Sequence, residues 1–151
     1  MSFSYLNNLA KVGLLDPVPF APEVLARMLA AARTRLADAQ QLVNSAETRF
    51  DCAYTAIRTI ADAGLYARGY RTSTSKPVHH QTSLQCLVHT MDVDPMTVRV
   101  LDALRKQRNL SDYDGDLVTE AQLRECIEQA QGVMALAERT LAILAAAPRF
   151  P

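Results

Sequence analysis

The chain has 151 residues, 49% hydrophobic and 21% charged, which suits one folded domain with a single core and excludes a disordered or polar tail protein. Sixteen basic residues balance sixteen acidic ones, so no global attraction to nucleic acid or to an anionic membrane is expected, and any such affinity has to be local. No apolar run approaches the roughly 18 residues of a membrane-spanning helix. Lys11 and Asp16-Pro17 interrupt the pattern that a signal peptide needs, so a cytoplasmic location without membrane contact is expected.

The first predicted element is a short amphipathic arm carrying Tyr5, Leu6, Leu9 and Val12. It is too short to hold a helix alone and is expected to dock on its own bundle or on a neighbouring subunit. Pro17, Pro19 and Pro22 make the next segment a stiff linker, so residues 1–21 form an arm and linker and residues 22–151 the main bundle. The first bundle helix opens at Pro22 and carries the stripe Leu25, Ala32, Leu36, Ala39 and Val43. Asn44 and Glu47 read as a cap separating it from a second helix with Phe50, Ala53, Ile57, Ile60 and Gly64. A shorter helix is expected over about His79 to Met91, with Leu84, Leu87 and Val88 inward. Asp94-Pro95 starts the next, which runs through Val98, Leu101 and Leu104 and stops at Gly115. Thr119 and Gln122 form a capping box for the last helix, whose stripe is Leu123, Ile127, Ala130, Met134, Ala137, Leu141 and Leu144. No strand is predicted. The fold class is all-α, an antiparallel up-down bundle of four or five helices with a short N-terminal helical arm. Cys52, Cys86 and Cys126 are widely spaced within apolar-periodic segments and read as reduced, core-facing thiols.

The chemistry concentrates in the segment LRKQRNLSDYDGD, Leu104 to Asp116. Arg105, Arg108 and Asp112 share a helix face, and Asp112, Asp114 and Asp116 place negative charge at a helix C-terminus, where the macrodipole disfavours it. A stop at Gly115 needs no acids. A polar site is therefore expected, in which Arg108 binds phosphate and Asp112 orients it, against the plainer reading of an exposed ion pair. The alternating aspartates do not make a calcium loop, because Leu117 and Leu123 stand where its Gly and Glu belong.

His79 and His80 are adjacent on a helix and point about 100° apart, and His89 is out of step with both, so no metal site or other cofactor is expected. A short connection makes the helix from His79 and the helix from Pro95 antiparallel. That brings His79 and His80 to Arg108, Asp112 and Tyr113, as phosphate ligands or proton carriers or else as surface residues. The stretch YARGYRTSTSKPVHH adds Arg71 and Lys76, interleaved with aromatics and hydroxyls, as either a phosphate- and base-binding loop or a solvated connection.

With the helix pattern, the segments RFDCAYTAIRTIADAGLYARGYRTSTS, HHQT and ALRKQRNLSDYDGD resemble the HEPN family (higher eukaryotes and prokaryotes nucleotide-binding) from about Pro22 to the C-terminus. The resemblance implies a four- or five-helix bundle that pairs as a homodimer through its motif-bearing helices. It implies an RNA- or nucleotide-binding protein of a toxin–antitoxin or phage-defence system, with metal-independent endoribonuclease activity as its enzymatic form. The family motif is an Arg, often followed by a polar residue, with a His a few positions on. Arg108 and Asn109 match its first two positions, and Tyr113, preceded by Asp112, stands where the His is expected. In the antiparallel placement, His79 or His80 of the neighbouring helix is the candidate to supply the imidazole. A cognate antitoxin, or a nucleotidyltransferase that modifies a tyrosine near the motif, is the implied protein partner. The alternative is a non-catalytic interaction module, an antitoxin or scaffold using the DYDGD edge and the N-terminal arm.

Overall fold

The structure, a computed structural model, describes residues 2–75 and 78–146. It is mostly helical. Helix α1 (Ser2–Lys11) leads through Gly13, at a left-handed φ of 82°, into strand β1 (Leu15–Pro17). Helices α2 (Pro22–Ala39) and α3 (Ala46–Ala67) follow, then strand β2 (Tyr70–Thr72). The remainder is α4 (His79–Gln85), α5 (Leu87–Thr90), α6 (Pro95–Asp114), α7 (Glu120–Thr140) and α8 (Ala142–Ala145).

Helix α3 is the axis of the molecule. It packs against α2, α6 and α7 and against the shorter α4, α5 and β2. Its predicted stripe of Phe50, Ala53, Ile57, Ile60 and Gly64 is buried throughout. Leu25, Ala32 and Ala39 of α2 and Leu123, Ala130, Met134 and Ala137 of α7 complete that core, as Val98, Leu101 and Leu104 do from α6.

The caps hold in kind, with one displacement. Asp94 caps α6 by accepting from Met96 N, Gly115 ends it at a left-handed φ of 71°, and Thr119 and Gln122 make the reciprocal capping box of α7. Thr119→Ala should therefore cost about 1 kcal/mol, read as a lower urea midpoint with unchanged m. The cap of α3, however, is Ser45 and not Asn44: the Ser45 hydroxyl accepts from Thr48 N. Asn44 instead donates to the Asp38 carbonyl at the end of α2, and Glu47 accepts from Val118 N, tying the start of α3 to the segment before α7.

Other expectations are corrected. A two-stranded antiparallel ladder pairs Leu15 with Thr72, Asp16 with Arg71 and Pro17 with Tyr70. Three residues are too few for strand alternation to register, and Pro17 sits in a strand paired on one side only, where its missing N–H is tolerated. The segment at Pro17 is thus part of the fold and not a linker alone. The expected helix from His79 to Met91 is broken at Cys86, where the chain tightens to an i+3 bond from His89 N to the Cys86 carbonyl. The last stripe also breaks, because α7 ends at Thr140 and Leu144 in α8 is 39% exposed. Val43 lies past the end of α2 and is 93% exposed.

The arm docks on its own chain. Leu6 and Leu15 close a small second core with Leu65 and Cys86, and the Tyr5 ring stacks on His89 at 3.9 Å. All three cysteines are free thiols. Burial pushes Cys86 up to about 11 and Cys126 up to about 12, so both stay protonated and inert near neutrality. Cys52 is half-buried against the main core. Among the described residues no helix is long and apolar enough to cross a membrane.

Candidate functional site

Helices α4 and α6 run antiparallel. Gln85, at the end of α4, shares a surface cleft with Val98, Arg99 and Asp102 from the first half of α6. His79 and His80, at the start of α4, lie across from Arg105, Arg108, Asn109 and Tyr113 in its second half. Val78 and Gln81 complete that second cleft, which has a volume of about 270 Å³. Six residues singled out from the sequence thus line one cavity. Asp112 joins them through an ion pair to Arg108. Arg71 does not: it lies on β2 opposite Asp16, away from the lining of the cleft. Lys76 lies outside the described residues.

Beneath the cleft, α3 contributes a layer absent from the expected site. Asp51, Tyr54, Arg58 and Asp62 recur at intervals of three and four, so they occupy one helical face beside the apolar stripe. That polar periodicity within RFDCAYTAIRTIAD was the available signal. Asp51 Oδ1 accepts from Arg108 Nε at 3.0 Å, and Asp112 Oδ2 lies 3.0 Å from the same nitrogen. Both carboxylates thus approach the Arg108 guanidinium at Nε. The Arg108 guanidinium also lies 5.9 Å from the centre of the Tyr54 ring, within cation–π range. Arg105 is held by Asp102, Nε to Oδ1 at 2.8 Å.

Tyr54 is 1% exposed, and among the described residues its hydroxyl has no hydrogen-bond partner. Burial pushes the phenol up to about 12 against the pull of Arg105, Arg58 and Arg108, so it stays protonated. Arg58 Nη1 lies 3.1 Å from His80 Nε2, and the rings of His79 and His80 meet edge to face at 4.3 Å. Burial, then the charge of Arg58 and the neighbouring His79, Arg108 and Arg105, lowers His80 to about 4. Further along α3, the Ser83 hydroxyl donates to Asp62 Oδ1 at 2.6 Å, while burial raises the Asp62 carboxyl.

The depressed His80 sets a pH dependence. Its folded value lies below the ordinary value of 6.5, so between 6.5 and about 4 the unfolded chain binds the extra proton. Its contribution to stability is complete above 6.5 and is lost as pH falls through about 4. His80→Gln should flatten the acid limb of a melting-temperature profile across that window, which thermal denaturation at stepped pH would measure.

A second cavity of similar size, about 300 Å³, is lined by Leu42, Arg49, Glu120 and Leu123 among others, and no histidine lines it. Its two arginines, Arg49 and Arg124, share that lining with the carboxylates of Glu120 and Glu128, so the cavity has less to offer an anion. Among the described residues no three His, Cys, Asp or Glu side chains converge as metal ligands.

The fold and site define a mostly helical protein with an arginine- and histidine-lined cleft between two antiparallel helices. No family model matches the chain, and no curated protein or solved structure matches it.

Proposed function

We propose that this is a HEPN-like protein of a toxin–antitoxin or phage-defence type system, binding RNA or nucleotide phosphates in the α4–α6 cleft and acting as a homodimer. In its enzymatic form it is a metal-independent endoribonuclease. The observation that carries the reading is the meeting of His79 and His80 with Arg105, Arg108 and Asn109 in one cavity. The chemistry suits a phosphate. Guanidinium groups and amide N–H groups donate to its oxygens, and a cation near phosphorus stabilises the charge that builds during attack. Arg108, paired with Asp51 and Asp112, lines the cleft and offers its guanidinium to the ligand. Asn109 and Tyr113 add polar contacts, and a histidine carries the proton.

The test is incubation of purified protein with structured and tRNA-like RNAs in the presence of EDTA. Cleavage that exceeds an Arg108→Ala control supports the enzyme, and equal background in both would end it. Fluorescence anisotropy with the same RNAs then reads binding alone.

A second reading has its own support. Tyr113 and Leu117 are each 79% exposed beside Asp112, Asp114 and Asp116, an apolar and acidic edge suited to a protein partner. As a non-catalytic antitoxin or scaffold, the protein would tolerate Arg108→Ala and lose its complex with a cognate partner on Leu117→Ser. Removal of residues 1–16 is a poorer test, because Leu6 and Leu15 are core residues and their loss unsettles the fold.

A further inference from the structure

We infer that Arg58 is a positioning residue: by donating to Nε2 of His80 it holds the neutral ring with its single proton on Nδ1, so that His80 serves the cleft as a hydrogen-bond donor and not as a base. This rests on the reading of the cleft as a phosphate site, and it divides the work between the two histidines.

The argument starts from what each group is able to do. A guanidinium carries only donors and stays protonated at any working pH. At 3.1 Å from Arg58 Nη1, the His80 Nε2 atom must therefore be the acceptor. An imidazole whose Nε2 accepts has its N–H at Nδ1, the less common tautomer of a free side chain. A second proton would have to sit on the nitrogen facing Arg58, with Arg105 and Arg108 approaching from α6 and His79 beside it. Asp62, one helical turn beyond Arg58 on α3, is engaged by Ser83. The ring is thus kept neutral from every element packed on it.

Two consequences follow for the site. His80 has no acceptor nitrogen left to take a proton from a substrate hydroxyl, so proton transfer falls to His79, which shares the cleft and touches the His80 ring edge to face. The donors carried by Arg105, Arg108 and His80, which all line this cavity, then match a ligand whose oxygens only accept, such as the non-bridging oxygens of a phosphodiester. Arg58 acts on that ligand through His80.

The test is a long-range ¹H–¹⁵N correlation spectrum of the labelled full-length protein at neutral pH, with His80 assigned by its loss in His80→Gln. The expected pattern is Nδ1–H in the wild type, retained in Arg58→Lys, which keeps a donor, and shifted toward Nε2–H in Arg58→Met. An Nε2–H ring in the wild type would overturn the proposal without any variant being needed. An unchanged tautomer in a folded Arg58→Met protein would overturn it too. Affinity for a short oligoribonucleotide should fall about tenfold in Arg58→Met and recover in Arg58→Lys, on the scale of one hydrogen bond to a charged group. If the Nδ1–H ring is present and no form binds RNA or inorganic phosphate, the phosphate reading of the cleft falls while the tautomer assignment stands.

Discussion

Replacing Arg108 by alanine should lower affinity for a short RNA about tenfold or more while leaving the fold nearly as stable as before. The two effects separate because Arg108 lies at the boundary between structure and cleft. Its partners Asp51 and Asp112 are 44% and 40% exposed, so once the guanidinium is gone water solvates them and the cost to stability is about 1 kcal/mol or less. Lost charge-assisted bonds to phosphate are worth more, because both partners are ionised and a guanidinium matches phosphate geometry through two donors. Arg108→Lys should behave like the alanine variant in binding, since an ammonium lacks the planar fork of donors that serves carboxylates and a phosphate together.

Asp112→Asn should move affinity the other way. The carboxylate competes with any phosphate for Arg108, and removing it leaves Asp51 to position the guanidinium. No basic residue stands in the last turn of α6, so the change also relieves an unfavourable dipole contact worth a few tenths of a kcal/mol. Anisotropy titrations and chemical denaturation of the three variants would show whether binding and stability separate as described.

The second large effect concerns Gly64. A Cβ placed there meets Thr90 Oγ1 at 2.8 Å and Thr90 Cβ at 3.2 Å, so Gly64→Ala forces α3 away from α5. Overpacking of this kind costs about 1–3 kcal/mol, which should appear as a lower melting temperature. Thr90 is buried and its hydroxyl has no hydrogen-bond partner among the described residues, so Thr90→Ala removes an unsatisfied polar group along with the obstacle. In the Gly64→Ala/Thr90→Ala protein most of the lost stability should return, and a double-mutant cycle would give a coupling of about 0.5–3 kcal/mol. Additive losses would show that the two positions do not meet.

How much of this was legible follows from the length scale of each signal. Helices with several turns announced themselves through periodicity, and their ends through local side-chain chemistry such as Asp94-Pro95 and Thr119 with Gln122. The antiparallel placement of α4 and α6 was accessible because a short connection leaves little choice, and it brought His79 and His80 to Arg108 in advance. What escaped depends on contacts between distant segments. The three-residue strands carry no periodic signature, and their ladder exists because Leu15 and Thr72 happen to be neighbours. The break at Cys86 is likewise imposed by packing, since HHQTSLQCLVHT has nothing that stops a helix. Asp51 and Arg58 read as ordinary polar positions until α6 and α4 are laid against them.

The ladder between Leu15 and Thr72 also has a kinetic side. It joins segments that enclose α2 and α3, so it closes a long loop and gains little until those helices have paired. The core around α3 should therefore assemble first, and the N-terminal region should lock last, when Leu6 and Leu15 settle onto Leu65 and Cys86. Amide exchange in α1 and β1 should then outpace exchange in α3. The N-terminal segment becomes a latch engaged at the end of folding, beside the polypeptide that leads into His79 and the cleft.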